Sequence, residues 1–146
     1  MTLHLVKLCV GAISIDDLAE WQAGRLAEAR KHSAGAKLFH ATFQTPRRQD
    51  ELLEGGSLYW VIKGQIQVRQ RLIGFSEGNK SDGSACCLLL LDPALVPVHP
   101  VPRRAFQGWR YLTAEDAPPD LTGAAGRGLA AMPEQLRREL AELGLI

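Results

Sequence analysis

Apolar and polar side chains alternate most regularly over residues 58–73, and this pattern predicts a β-strand segment with two unlike faces. The apolar face would carry Leu58, Trp60, Ile62, Ile66, Val68 and Leu72, and the polar face would carry Tyr59, Lys63, Gln65, Gln67, Arg69 and Arg71. A straight strand of this length would span about 50 Å, which is wider than a domain of this size. The segment must therefore bend or fold back near Gly64.

Two geometries keep these faces intact. The favoured one is a single long strand that bends sharply at Gly64, since a glycine inside a strand often marks a bend. The second is a hairpin with a three-residue turn, which would pair Ile62 with Ile66 and Trp60 with Val68. A two-residue turn would instead pair Lys63 with Ile66 and mix the faces, so the pattern disfavours it.

Shorter segments predict the other strands. The strands are expected at residues 3–10, 37–43, 86–91 and 106–112. Prolines recur through residues 96–102, so this stretch is expected to be an edge strand or an extended segment.

Three helices are predicted as well. Ser14 resembles the N-cap of a long helix over about residues 16–31. Thr45 and Pro46 resemble the cap and first turn of a short helix that ends near residue 54. A C-terminal helix begins near Pro133, and its apolar stripe consists of Leu136, Leu140 and Leu143.

Together these elements predict an α+β fold. The expected architecture is a small, bent, partly closed and mainly antiparallel β-barrel with a long N-terminal helix, a short helix and a C-terminal helix. Residues 1–146 are expected to form a single domain, because this length is common for one domain. Residues 113–128 are rich in Ala, Pro, Gly and Asp and are expected to form a surface linker before the last helix.

Composition and a few sequence features indicate the cellular location that we expect. Hydrophobic residues make up 46% and charged residues 23%, as in ordinary globular proteins. The longest apolar run, residues 86–91, is far shorter than the roughly 20 residues that a membrane-spanning helix needs. The first residues lack the features of a secretory signal, and Cys9, Cys86 and Cys87 form no CxxC pair. We therefore expect a cytoplasmic protein with buried thiols and without a membrane partner, a metal site or a cofactor.

Charge is distributed unevenly, although the net charge is only +1. Residues 44–110 contain nine Lys/Arg and six Asp/Glu, whereas residues 111–146 contain three and six. Cations mixed with aromatic side chains suit phosphates and unstacked bases, which predicts binding of RNA or a nucleotide. The same pattern is also typical of the solvated face of an antiparallel sheet. The candidate binding residues are Tyr59, Lys63, Gln67, Arg69, Arg71, Arg103, Arg104, Trp109 and Arg110.

Two alternative functions remain open. The first is a small amidohydrolase-like hydrolase acting on a nucleoside or an amide, which would draw its acid, base or nucleophile from His40, His99, Asp50, Glu51, Lys63 and Tyr59. No diagnostic catalytic motif joins these side chains, so no catalytic residue is assigned. The second alternative is a protein assembly module, and the oligomeric state is left open.

Several strings resemble an alphaproteobacterial family of unknown function. They are LHLVKLCVG, DELLEGGSLYWVIKGQIQVRQR, LDPALVPV, RRAFQGWRYL, EDAPPDL and LRRELAELGL, and they extend over nearly the whole chain. The resemblance implies a small bacterial cytosolic protein and brings no established activity with it.

The string IKGQIQVR is similar to the hallmark of PUA-like barrels and their ASCH branch, which runs Gly-x-Lys-x-x-Glu-x-Arg on a bent strand. With Arg69 aligned, Gln67 takes the acidic position and Gly64 the lysine position. Ile62 then takes the glycine position, and Lys63 is displaced by one residue. If the amidohydrolase chemistry of that branch requires the carboxylate, this chain lacks the general base, because Gln67 takes its place. The resemblance therefore implies binding rather than catalysis.

Overall fold

The computed structural model describes residues 2–80, 82–104 and 106–121, which contain two helices and seven strands. The helices are α1 (Ile15–His32) and α2 (Gln49–Leu53), and the strands are β1 (Leu3–Leu8), β2 (Leu38–Thr42), β3 (Ser57–Ile62), β4 (Gln65–Asn79), β5 (Ala85–Leu91), β6 (Val96–Pro102) and β7 (Trp109–Thr113). The expected mixed α+β class is confirmed. The predicted C-terminal helix lies outside the described residues.

The segment around Gly64 is a hairpin with a two-residue turn, so both predicted geometries are wrong. Ile62 at the end of β3 pairs with Gln65 at the start of β4. Lys63 and Gly64 form the turn, with φ values of 48° and 78°. Positive φ at both turn positions matches the right-handed twist of the flanking strands, which makes this turn common in tight hairpins.

A β-bulge next to the turn restores the predicted pairing for the strand residues beyond it. Val61 pairs with Ile66, but Trp60 pairs with Val68, so Gln67 is an extra residue on β4. The Trp60 and Val68 pair that a three-residue turn would give is therefore restored by the bulge. Ile66 is the exception, because it lies before the bulge and contributes to the same core as Val61.

The strands form one strongly curved sheet that is not closed within the described residues. Its order is β2-β5-β4-β3-β1-β7, and β6 also pairs with β4. All pairings are antiparallel except that between β1 and β3. His40 on β2 and Trp60 on β3 have ring centroids 5.0 Å apart, although two strands lie between β2 and β3. Neighbouring strands in a flat sheet are about 4.8 Å apart, so the sheet must curl to bring these rings together.

The two ends of this sheet approach each other along a seam. Trp109 on β7 donates its indole N–H to the carbonyl of Gln44, just beyond β2, at 2.7 Å. The hydroxyl of Tyr111 accepts the backbone N–H groups of Arg47 and Arg48 at 3.1 and 3.2 Å. Side chains rather than a backbone ladder therefore join β7 to the residues that follow β2.

Both faces of the sheet are covered by apolar clusters. The cluster on the concave face includes Leu5, Leu58, Trp60, Ile62, Val68 and Leu72, with Leu18 of α1 and Leu52 of α2 packed against them. The cluster on the convex face consists of Val6, Tyr59, Val61, Ile66, Val98 and Leu112. Every residue of β3 is consequently buried. The expectation of one solvated face on this strand is wrong, because the concave cluster covers one side and apolar side chains of β1, β6 and β7 cover the other.

A buried amide network joins α1 to the sheet. Gln22 of α1 and Gln70 of β4 exchange two amide hydrogen bonds of 2.8 Å. The Gln70 side-chain oxygen also accepts the indole N–H of Trp60 at 2.8 Å, and its amide donates to the Asp92 carbonyl at 3.1 Å. Such a network satisfies every partner and fixes the position of the helix. At the start of α1, the Ser14 hydroxyl accepts the Asp17 N–H as an N-cap.

The start of α2 differs from the prediction. The helix begins at Gln49 rather than after Thr45 and Pro46, and its N-cap position is Arg48. The N–H groups of Arg47 and Arg48 are bound to Tyr111, which anchors this stretch to β7 instead of to a helical turn.

Part of the predicted linker lies along β6. Val98 and Asp120 form an isolated antiparallel bridge, and the Leu121 N–H donates to the Pro97 carbonyl at 3.0 Å. The proline-rich stretch is itself a strand, paired with β4. No described helix is long and apolar enough to cross a membrane. All three cysteines are free thiols; Cys86 and Cys87 are buried as expected, whereas Cys9 is only partly buried.

Candidate nucleic-acid interface

The loop between β6 and β7 crosses the end of the sheet where the β3–β4 turn lies. Arg103 donates its backbone N–H to the Gly64 carbonyl at 2.8 Å, which holds the loop against the turn. The guanidinium carbons of Arg103 and Arg110 lie 5.5 and 5.3 Å from the centre of the Phe106 ring. We call this group, consisting of Lys63, Arg103, Arg104, Phe106 and Arg110, the Phe106 patch.

The arginines of the Phe106 patch carry uncompensated charge. Within the described ranges, none of Arg103, Arg104 and Arg110 forms a salt bridge with a carboxylate. Arg110 donates instead to the backbone carbonyls of Gln107 and Trp109, at 2.8 and 3.1 Å. These contacts fix the guanidinium and leave its positive charge unneutralised. Arg104 and Arg110 are exposed, and Arg103 is partly buried.

Three of the nine predicted binding residues are buried. Tyr59 is 4% exposed and Gln67 is 3% exposed. Gln67 donates its amide to the Ile62 carbonyl at 2.8 Å, as expected for a bulge residue that folds back on the hairpin. Trp109 is 5% exposed and holds the seam through its bond to Gln44. In this conformation none of these three side chains lies on an open surface.

Arg69 is held by a carboxylate. Its guanidinium donates twice to Asp120, at 2.7 Å each, and once to the Ser57 hydroxyl at 2.9 Å. The bond from Arg69 lowers the pKa of Asp120, and the same bond raises the pKa of Arg69. A bidentate pair of this kind leaves the guanidinium little capacity for a phosphate.

Arg71 is exposed but stands apart from the patch. It pairs with Ser57 at the far end of the hairpin from Lys63 and Gly64. Arg71 is six positions beyond Gln65 along the strand, which corresponds to about 20 Å. Of the nine predicted residues, the structure brings Arg103 and Arg110 together at Phe106, with Lys63 in the adjacent turn and Arg104 next to Arg103 in the chain.

Phe106 was not among the predicted residues. It falls within RRAFQGWR, where an aromatic residue is interleaved with arginines, a combination that suits stacking on bases. The strand pattern of FQGWRYL obscured this signal, because it assigned Phe106 to β-structure. In the structure Phe106 precedes β7, which starts at Trp109.

Two of the side chains considered for catalysis, His40 and Tyr59, have perturbed pKa values. Burial, together with the smaller effects of the charges of Lys7, Arg25 and Lys80, lowers the pKa of His40 to about 4. Burial raises the pKa of Tyr59. Among the described residues, no group of three or more His, Cys, Asp or Glu side chains could hold a metal ion.

The fold and the patch define a class: a small α+β protein with a curled open sheet and a cationic, aromatic-centred loop at one end. The model of the family described as "Protein of unknown function (DUF1489)" matches residues 5–146, so the chain belongs to that family. This confirms the expected membership in a family of unknown function. Neither the curated proteins nor the solved structures contain a match to this chain.

Proposed function

We propose that this protein binds single-stranded RNA through the Phe106 patch, and that a nucleotide is the smallest ligand of the same site. The observation that carries the proposal is the position of the Arg103 and Arg110 guanidinium groups beside the Phe106 ring, where neither has a carboxylate partner among the described residues. Lys and Arg neutralise phosphates, while an aromatic ring provides a surface on which a base stacks.

The sheet supports a PUA-like architecture as part of the same proposal. It is strongly curved, and its ends meet through the Trp109 and Tyr111 side chains. Gln67, which stands where the ASCH hallmark has a carboxylate, is a buried bulge residue, so it supports binding over amide hydrolysis. A cytoplasmic location is also proposed, supported by the three free thiols.

The test measures RNA affinity by fluorescence anisotropy with a labelled single-stranded oligonucleotide at low salt. Arg103→Glu/Arg110→Glu should weaken binding by about tenfold or more, because two phosphate contacts become repulsive. The matched control is Arg30→Glu/Lys37→Glu, which changes the net charge equally at two exposed positions away from the patch. An equal loss of affinity in both variants would show nonspecific electrostatics and refute the patch.

Salt dependence and base stacking separate the two parts of the site. Four cationic contacts predict a slope of log affinity against log salt near about −2.8 for a single strand. Phe106→Ala should lower the affinity by about 1–3 kcal/mol and leave this slope unchanged, because it removes stacking without removing charge. Absence of RNA binding at low salt would refute the proposal.

A further inference from the structure

An exposed apolar surface lies on the outer side of α1, next to the loop that follows β1. Trp21, near the middle of the helix, is 50% exposed, and Val10 and Ile13 of the loop are 83% and 56% exposed. The Ile13 backbone N–H donates to the Asp17 carboxylate at 3.3 Å, which holds the loop against the first turn of the helix. Large exposed apolar side chains that gather in one place are typical of interaction sites.

A cavity of about 480 Å³ lies between this loop and the helix. Its walls are formed by Val10, Gly11, Ala12, Asp17, Glu20 and Trp21. Apolar side chains and two carboxylates therefore line the same depression. A cavity of this volume can take an aromatic side chain.

A cation lies beside the Trp21 ring. The guanidinium carbon of Arg25, one turn further along α1, is 4.7 Å from the centre of the Trp21 ring and 5.3 Å from the centre of the Phe39 ring. The guanidinium is therefore positioned next to a half-exposed indole. We call the whole group the Trp21 face, and it consists of Val10, Ile13, Asp17, Glu20, Trp21 and Arg25.

Two parts of the Trp21 face are complementary to each other. One part is an aromatic ring with a guanidinium beside it, and the other is a partly apolar cavity with carboxylates in its wall. An indole suits an apolar cavity, and a guanidinium forms charge-assisted hydrogen bonds with a carboxylate. Trp21 and Arg25 of one chain therefore match the cavity and the Glu20 carboxylate of a second chain.

The charges along α1 show the same complementarity. Residues 15–22 contain three carboxylates and no Lys or Arg, whereas residues 23–32 contain three Lys or Arg and one carboxylate. Antiparallel packing of two copies of α1 would place the acidic half of each helix opposite the basic half of the other. Parallel packing would instead bring like charges together, which is unfavourable.

We propose that the Trp21 face binds a second copy of this chain and forms a two-fold symmetric dimer with antiparallel α1 helices. Trp21 of each protomer enters the cavity of the other, and Arg25 of each protomer pairs with Glu20 of the other. A two-fold axis makes every such contact twice, so one self-complementary surface is sufficient. Trp and Arg at the centre of an interface often dominate its binding energy. The Trp21 face shares no residue with the Phe106 patch, so the dimer does not depend on RNA binding.

The experiment measures the mass of the full chain by sedimentation equilibrium over a range of concentrations. The mass should rise with concentration toward twice the monomer mass of 16.0 kDa. Trp21→Ala should weaken the dimer by about thirtyfold, as expected for a central aromatic anchor. The matched control is Phe43→Ala, which removes a ring that is 65% exposed outside the Trp21 face and should leave the dimer unchanged. A chain that stays monomeric up to about 1 mM, or equal weakening by both variants, overturns the proposal.

Charge reversal tests the antiparallel geometry. Glu20→Lys would place two cations opposite each other at both symmetric contacts, and Arg25→Glu would place two carboxylates there. Each variant alone should therefore dimerise about tenfold more weakly or worse. An equimolar mixture should recover to within about threefold of the wild type, because each substituted side chain then faces its opposite charge. A mixture that associates no better than the separate variants overturns the proposal.

Tryptophan fluorescence reports on the interface without any substitution. Trp60 and Trp109 are 1% and 5% exposed, so quenching by acrylamide reports mainly on Trp21. This quenching should fall as the concentration of the chain rises and Trp21 becomes buried. Quenching that does not change while the mass doubles would place the interface elsewhere and refute the Trp21 face.

Two controls separate lost association from other effects. Each variant should keep the wild-type circular dichroism spectrum in dilute solution, and unfolding of Trp21→Ala would show that Trp21 is needed for packing, which contradicts the proposal. Arg103→Glu/Arg110→Glu should dimerise as the wild type does, because the Phe106 patch is a separate site. Failure of the RNA proposal and failure of the dimer proposal are therefore distinguishable.

Discussion

Two buried glutamines on β4 have opposite surroundings. Gln70 is fully buried, and its amide makes four hydrogen bonds, to Gln22, Trp60 and Asp92. Gln65 is 3% exposed, and neither its side-chain oxygen nor its nitrogen has a hydrogen-bond partner among the residues that the structure describes. The same residue type therefore stabilises the fold at one position and opposes it at the other, because an unsatisfied buried amide keeps its desolvation cost.

Replacement by methionine, which is similar in size, should reveal this difference. Gln65→Met should raise the free energy of unfolding by about 1–2 kcal/mol, because it removes the unsatisfied amide. Gln70→Met should lower it by about 3 kcal/mol, because Gln22 and the Trp60 indole lose their partner. Urea unfolding of the two variants measures both values. Equal destabilisation by both substitutions would contradict this account of Gln65.

At the level of elements, the β3–β4 hairpin shows what the sequence could predict. Alternation identified Leu58, Trp60, Ile62, Val68 and Leu72 as core residues, and all five lie in the concave cluster. It failed for Ile66 because the turn shifts the parity by one residue and the bulge at Gln67 shifts it back. Because the two shifts cancel for every residue beyond Gln67, the alternation does not reveal that they occur. A bent strand therefore fitted the same pattern equally well.

The backbone conformation of the turn at Gly64 can be tested by substitution. With φ at 78°, it adopts a left-handed conformation in which a side chain is strained, although no atom would clash with an added Cβ. Gly64→Ala should therefore lower the free energy of unfolding by about 1–2 kcal/mol. Thermal unfolding followed by circular dichroism measures the change.

Gly24 provides the matched control. It lies in the middle of α1, and no atom is within 4 Å of an added Cβ. Gly24→Ala should stabilise the protein by up to about 1 kcal/mol, because alanine favours the helix. Destabilisation by both substitutions would show that the turn conformation is not the cause.

At the scale of the whole molecule, the curl of the sheet determines which residues come into contact. The alternation of apolar and polar residues within single segments does not predict this curl. Five of the nine candidate residues were chosen from the polar face of residues 58–73, but apolar side chains of β1, β6 and β7 and the segment around Asp120 bury much of that face. Arg69 is taken by Asp120, which is 51 residues further along the chain. The place of Phe106 depends on a loop crossing, and the contact between His40 and Trp60 depends on the curl, so neither could be recognised from alternation.

The seam itself can be tested through Tyr111. Tyr111→Phe removes the acceptor of the Arg47 and Arg48 N–H groups and leaves the ring in place. Hydrogen exchange at these two amides should become faster by about tenfold, which corresponds to the loss of roughly 1.4 kcal/mol. The Cys9 amide, which donates to the Val61 carbonyl inside the sheet, is the internal control and should exchange at its original rate. Unchanged exchange at Arg47 and Arg48 would show that Tyr111 does not hold the seam.

The position of β1 in the sheet has a consequence for synthesis. β1 lies between β3 and β7, so Leu5 meets Leu58 and Lys7 meets Trp109. Both partners are made long after β1 leaves the ribosome, whereas the β3–β4 and β4–β5 hairpins can form from neighbouring residues. The first of the described strands to be translated is thus completed last, because its edge toward β7 stays unpaired until Trp109–Thr113 has been made.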